Sequence, residues 1–313
     1  MSNWLSVIMP VHGGAALLGA TLASVAAEQP DGVEFRMYNS GDDGGAARAV
    51  AREFADRIDI VWQETPGCKP WTAKTNLGVG EACAPHVVML HQDDVWLPGH
   101  LVAVRAAIVE NPDAVMSIAP SRFIGPDGRD LGAWRLPFAA GRQDGRSLAN
   151  TLVVQNSIAI PSPVIKRSAW LETGGLDNEL WFSADWDFYL KLAVLGDVVV
   201  RPQATTAFRV HGGSLTMTGS RNIADYRAQH EIVLARHSAA LAPVDGSTLR
   251  RARASIAMNC ALAAAAQGRR AGLLSALLRL AALGPWGARR CLAETALIDR
   301  LRPRLALARA GAL

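Results

Sequence analysis

The densest potential chemistry lies at His91-Gln92-Asp93-Asp94, directly after the apolar run Val87-Val88-Met89-Leu90. Adjacent carboxylates repel one another, so the pair needs either solvent or a cation. Aspartate is a hard oxygen donor suited to Mg2+ or Mn2+. A divalent ion held there can bridge to a diphosphate and act as a Lewis acid on a leaving group. The plainer alternative is a solvated turn whose aspartates cap the helix after Pro98. A second cluster is Ser183-Ala184-Asp185-Trp186-Asp187, just ahead of a helical run. Asp185 there is either a general base for an acceptor hydroxyl or a helix cap. A third is Phe208-Arg209-Val210-His211. Its arginine and histidine can both meet a diphosphate or a metal, or simply alternate on an exposed strand.

These clusters need elements to position them. Apolar runs at 4–10, 33–38, 58–63 and 87–90 read as strands. Helical spacing appears over 17–28, 46–57 and 77–84. Strand and helix thus alternate through the first 110 residues, as βαβ crossovers and a parallel sheet require. Ligands of such sheets bind at the carboxyl ends of the strands. The polar loops after Met9, Tyr38 and Leu90 all fall there. Further on, 113–138 is strand-like with a Gly-Pro-Asp-Gly turn at 125–128. Helices are expected over 147–154, 186–195 and 224–238, and strands over 162–166 and 198–201.

Charge divides the chain. Residues 246–313 hold 12 arginines, no lysine, and only Glu294 and Asp299, a net charge of +10. The whole chain is +4, which leaves −6 on residues 1–245. An acidic body with a basic Leu/Ala-rich tail does not suit a nucleic-acid enzyme, whose basic patch surrounds the site itself. Two regions follow: a catalytic domain over 1–245 and a basic amphipathic helical tail over 246–313. Leu273, Leu274, Leu277, Leu278 and Ala281 recur at helical spacing among arginines, with Trp286 beyond a Gly-Pro break. The tail, over 249–310, is therefore expected to attach to an anionic membrane surface or, alternatively, to pack on the acidic body or form a dimer. The four cysteines form no C-x-x-C pair, which suggests neither a zinc cluster nor a disulfide framework and suits a reducing cytoplasm. The expected location is cytoplasmic, peripheral on the inner face of the membrane.

The order and spacing of the motifs resemble the family 2 glycosyltransferases of GT-A fold, inverting enzymes that use nucleotide-diphospho-sugars. The similarity runs over roughly residues 5–216. It includes Ser6-Val7-Ile8-Met9-Pro10-Val11-His12, Lys74-Thr75-Asn76-Leu77-Gly78, and the stretch from Leu90 to Pro98, which resembles L-D-x-D-D-x-W-x-P. It continues through Gly174-Gly175-Leu176-Asp177 and Ala184-Asp185-Trp186-Asp187 to Phe208-Arg209-Val210-His211, which resembles Y-R-x-H. The resemblance implies an α/β, Rossmann-like fold with a mostly parallel central sheet flanked by helices, plus the C-terminal helical appendage. It implies Asp185 as catalytic base. It implies donor contacts from Pro10, His12, Asn39, Ser40, Lys74, Asn76, Gln92, Asp93 and Arg209. It implies a divalent cation, Mn2+ or Mg2+, held by Asp93 and His211 with Asp94 and His91 as further ligands. The partners would be a nucleotide-diphospho-sugar and a glycan or lipid-linked acceptor in cell-envelope or polysaccharide synthesis, with no nucleic acid.

Three departures stand out. His91 occupies the first D-x-D position, Asn39-Ser40 replaces the usual Asp pair near the base, and Ala184 replaces the acid beside Asp185. Asn39 could serve the base through its amide oxygen. Two other classes share this fold. A nucleotidylyltransferase needs an Arg-bearing loop after the first strand, and no Arg or Lys precedes Arg36. A sugar-nucleotide-binding protein without turnover would not need Asp93, Asp185 and His211 together.

Overall fold

The apolar runs become parallel strands in the computed structural model, which describes residues 3–240 and 244–309. Residues 310–313, the end of the expected tail, lie outside the described residues. The first half of the domain is β1 (Leu5–Val11), α1 (Ala15–Ala27), β2 (Val33–Asn39), α2 (Ala46–Arg52), β3 (Asp59–Glu64), α3 (Trp71–Glu81) and β4 (His86–Met89). Next come β5 (Val95–Trp96), α4 (His100–Glu110), β6 (Met116–Ile118), β7 (Ser121–Ile124), β8 (Asp130–Trp134) and β9 (Gly141–Gln143). Then follow α5 (Gly145–Leu152), β10 (Val164–Lys166), α6 (Arg167–Glu172), α7 (Ala184–Leu195), β11 (Val198–Val200) and β12 (Thr206–Arg209). The chain ends in helices α8 (Leu215–Gly219), α9 (Ile223–Ala240), α10 (Gly246–Ala266), α11 (Ala271–Ala281), α12 (Gly284–Glu294) and α13 (Leu297–Arg309).

The main sheet has the order β3-β2-β1-β4-β10-β6-β11-β9. Its first four strands run parallel, with Val7 opposite both Phe35 and Val88. Every residue of β1 is buried, as expected for a strand covered on both faces. Leu5, Val7 and Met9 pack with Leu18, Leu22 and Val25 of α1; Ile8 packs in a second core with Val79 of α3. β10 enters antiparallel between β4 and β6. A smaller sheet, β5-β12-β7-β8, carries the third motif on β12. The expected turn at 125–128 closes the β7–β8 hairpin, with Gly128 at φ 81°.

Some helix limits differ from the sequence expectation. The helix expected over 77–84 runs Trp71–Glu81. Its first half escapes apolar periodicity because Thr72, Lys74 and Thr75 are polar yet buried. α2 stops at Arg52, and 53–57 continues as turns.

The tail helices divide into two kinds. The N-cap of α10 is Asp245, whose carboxylate accepts from the Ser247 and Thr248 amides. Ala252, Ile256 and Cys260 of α10 enter the core that also holds Trp186, Leu190 and Val233. Gln155 Oε1 accepts from Ser255 Oγ (2.8 Å) and Asn259 Nδ2 (2.6 Å). Leu307 of α13 packs with Phe123 and Val210, and Arg135 pairs with Asp299 at 2.8 Å. α10 and α13 thus pack on the body. Between them α11 and α12 meet at an angle of 116°, and no single described helix is long and apolar enough to cross a bilayer.

Candidate active site at the carboxyl ends of the parallel strands

The loops after β1, β2 and β4 meet at one edge. The His12 amide donates to Gln92 Oε1 (3.0 Å), and His12 Nδ1 lies 3.1 Å from Ser40 Oγ. Lys74 Nζ donates to Ser40 Oγ (2.8 Å) and to the Val11 carbonyl (2.6 Å). Thr21 Oγ1 donates to the Gln92 carbonyl at 2.9 Å and steadies the turn. The left-handed conformation favours glycine at Gly14, φ 74°, and a Cβ there would displace the Gln92 amide that the His12 N–H holds. Burial pushes the Lys74 ammonium down to about 8, so it remains mostly charged at neutral pH. Four expected donor residues, His12, Ser40, Lys74 and Gln92, therefore form one hydrogen-bonded patch. Pro10 lies buried inside β1, paired with Tyr38, where it shapes the strand end.

Asn39 is spoken for. Its Nδ2 donates to Glu64 Oε2 (2.9 Å) and the Gly41 carbonyl (3.2 Å), and its Oδ1 accepts from the Gly41 amide (3.0 Å). The exposed group beside it is the Glu64 carboxylate, whose Oε1 also accepts from Trp62 Nε1 at 2.7 Å. Sequence reading passed over Glu64. The available signal was its place at the end of the third parallel strand, in register with Asn39. Asn76 offers no free group either, because Leu176 uses both ends of its amide: its carbonyl accepts at 2.8 Å and its N–H donates at 2.9 Å.

In the acidic turn, donor atoms of His91, Asp93 and Asp94 all lie within 4.8 Å of one another. His211 Nε2 is 3.0 Å from Asp93 Oδ2. Arg209 clamps the turn from β12. Its amide donates to Asp94 Oδ1 (2.9 Å) and its Nε to the Asp93 carbonyl (2.7 Å). Its Nη1 donates to the carbonyls of Gly125 and Pro126. Arg209 is thus largely committed to holding the turn. Burial alone would raise the Asp93 carboxyl, but the His211 hydrogen bond and the nearby His91 hold it below its ordinary value. Burial and the Asp93 charge push Asp94 well up. Burial lowers the His91 imidazole and favours its neutral, ligating form. His91 Nε2 and Asp94 Oδ2 are sealed from solvent without a partner among the described residues. Buried polar atoms are normally satisfied. Two such orphans beside an ionised Asp93 are a donor set that fits a divalent cation.

Asp185 sits in the first turn of α7, two positions beyond the cap, since Ser183 holds the cap position. Its Oδ1 accepts from the Trp186 amide and its Oδ2 from Asn156 Nδ2, both at 2.8 Å. Only 8% of the residue is exposed, and burial pushes the carboxyl up to about 7. Such a value suits a general base at neutral pH. Asn156 also escaped sequence reading; it lies in a loop with no local pattern, 29 residues away. Trp71 links the two acidic clusters. Its ring meets His91 edge-on with centroids 5.2 Å apart, and its Nε1 donates to the Trp181 carbonyl at 2.9 Å. The segment after His211 is α8, capped by Ser214, with Gly219 against the Trp181 ring.

The chain as a whole is similar to known proteins. The profile described as "Glycosyl transferase family 2" matches residues 6–166. A Rickettsia typhi protein named "Uncharacterized glycosyltransferase" is 22% identical over 239 residues, 72% of this chain and 70% of that protein. An uncharacterized Mycobacterium tuberculosis protein is 25% identical over 242 residues, 71% of this chain and 72% of the other. Among solved structures, S. aureus TarS 1-349 in complex with UDP-GlcNAc superposes with TM-score 0.56 at 13% identity. The match covers 89% of this chain and 91% of TarS 1-349. The Pyrobaculum calidifontis mannosyltransferase PcManGT, in complex with GDP-Man and Mn2+, gives TM-score 0.55 at 19% identity over 94% and 86% of the two chains. At these identities the likeness is one of fold.

Proposed function

Since the chain belongs to glycosyl transferase family 2 and is a glycosyltransferase of GT-A fold, we propose that it moves a sugar from a nucleotide-diphospho-sugar to an acceptor hydroxyl with inversion. The observation that carries this is the pair of orphaned atoms, His91 Nε2 and Asp94 Oδ2, beside Asp93 at the edge where His12, Ser40 and Lys74 also gather. Asp185 takes the proton of the acceptor hydroxyl as that oxygen attacks the anomeric carbon. One displacement from the face opposite the diphosphate inverts that carbon. His91, Asp93 and Asp94 would hold Mn2+ or Mg2+, which would supply positive charge to a diphosphate leaving group.

Glu64 receives the nucleotide base on this reading. A carboxylate accepts an N–H, and uracil and guanine both present one on their pairing edge. UDP-GlcNAc in TarS and GDP-Man in PcManGT support either choice. The acceptor we assign is a glycan or a lipid-linked sugar of envelope or polysaccharide synthesis. Four unpaired cysteines support a reducing, cytoplasmic setting.

The test is a thermal-shift series of UDP-, GDP-, dTDP- and CDP-sugars with and without Mn2+. One nucleotide class should raise Tm by several degrees, consistent with about 2.7 kcal/mol at a hundredfold excess over Kd, and only with metal. Asp93→Ala should abolish the metal-dependent part. An equal shift without metal, or in Asp93→Ala, sinks the assignment.

A further inference from the structure

The α11–α12 hairpin leaves its apolar side uncovered. On α11, Leu273 and Leu280 pack toward Met258 and Ala261 of α10, and Ala276 is buried with them. Arg270, Leu274, Leu277, Leu278 and Ala281 share the other side at i, i+4, i+7, i+8 and i+11, and all are exposed. Leu274 is 67% exposed, Leu277 53% and Leu278 62%. On α12, Cys291 faces inward, while Trp286 is 81% exposed beside exposed Arg289 and Arg290. A leucine stripe and a tryptophan this open are costly in water unless something covers them.

We propose that these outward faces dock on an anionic lipid surface. Charge selects that occupant. Residues 268–293 carry five arginines and no acidic residue. Among the described residues Arg290 pairs with Glu294, whereas Arg270 and Arg289 pair with no carboxylate. Lipid phosphates would meet those guanidinium groups while the leucines enter the acyl boundary and Trp286 lies at the headgroup level. A second copy of the chain fits worse, because a twofold contact sets the same arginine-rich face against itself. Neither helix alone is long enough to span, and Arg270, Arg279, Arg289 and Arg290 along both favour a position in the interface. The membrane contact expected of the whole tail thereby narrows to 269–293, since α10 and α13 are spent on the body. The catalytic domain would then work on acceptors presented at that surface.

Co-sedimentation of the full chain with phosphatidylcholine vesicles, with and without 30 mol% phosphatidylglycerol, tests this. Binding should require the anionic lipid and fall at high salt. Leu277→Asp/Leu278→Asp should weaken partitioning at least tenfold, and Arg270→Glu/Arg289→Glu severalfold. Both pairs of positions are exposed, and the nucleotide-sugar thermal shift of each variant serves as the folding control. A chain that stays in the supernatant at low salt, or leucine variants that partition like the parent, overturns the proposal. So does a dimer in light scattering that Leu277→Asp/Leu278→Asp dissolves without any vesicle binding, which would assign the face to a second copy.

Discussion

Asp185 and Asp187 lie two residues apart in the first turn of α7 and face different sides of it, yet their carboxyls are held at about 7 and about 2. Burial acts on both. Asp185 has only uncharged hydrogen-bond donors to oppose it: the Trp186 amide, Asn156 and its own amide. For Asp187 the His237 hydrogen bond and the Lys191 ion pair overcome burial. Paired carboxyls driven apart in this way are a mark of divided roles. A base must be ionised, so turnover should rise with pH about a midpoint near 7. Asp185→Asn should lower kcat by about 10²-fold or more while nucleotide-sugar affinity stays within about twofold. Asn156 donates to the ionised form, so Asn156→Ala should move the acidic limb to higher pH. Rate profiles with the true acceptor check both. A midpoint that ignores Asn156→Ala would remove Asn156 from any part in setting the base.

Elements are held in place by side chains that no chemistry uses. Asp187 pins α9 to α7: it lies 2.8 Å from His237, 2.9 Å from Arg236 and 2.7 Å from Lys191. Because its folded pKa is depressed, its contribution is present above the unfolded value near 4 and is lost as pH falls toward about 2. Asp187→Asn should cost about 2–3 kcal/mol at pH 7, allowing for the solvent exposure of Arg236. In urea unfolding, the gap between parent and variant should narrow below pH 4. A gap unchanged from pH 7 to pH 3.5 would show that the ion pairs do not carry the effect. The Arg209 side chain does the same for β12 and the acidic turn, through the Asp93 and Gly125 carbonyls.

The whole molecule joins an acidic body to a basic tail, but charge is only part of the joint. Ten residues of α10 are buried, and each apolar one contributes roughly 1–3 kcal/mol. Arg251 and Glu294 form a buried pair between α10 and α12 at 2.7 Å. A chain ending at residue 245 should therefore lose about 10 °C or more in Tm, or aggregate, because Val233 and Leu190 lose their cover. Circular dichroism melts of the full and shortened chains measure it. Equal melting would mean that α10 rests on the body without stabilising it.

The parallel strands were legible because burial on both faces writes a continuous apolar run, as in Ser6-Val7-Ile8-Met9 and Val87-Val88-Met89-Leu90. The loops at their ends were legible for the same local reason, and with them His12, Ser40 and the 91–94 turn. Other features were not written locally. Lys74 hides the start of α3 because it is a polar residue buried by partners at the end of β1 and in the loop after β2. β10 runs antiparallel between β4 and β6, a direction that three residues of apolar sequence do not encode. Asn156 and Glu64 owe their relevance to neighbours 29 and 25 positions distant. In the tail, identical Leu/Ala/Arg chemistry ends buried in α10 and bare in α11. Periodicity records that a helix has an apolar side; which surface covers that side, or leaves it open, is settled only by the packing of the completed chain.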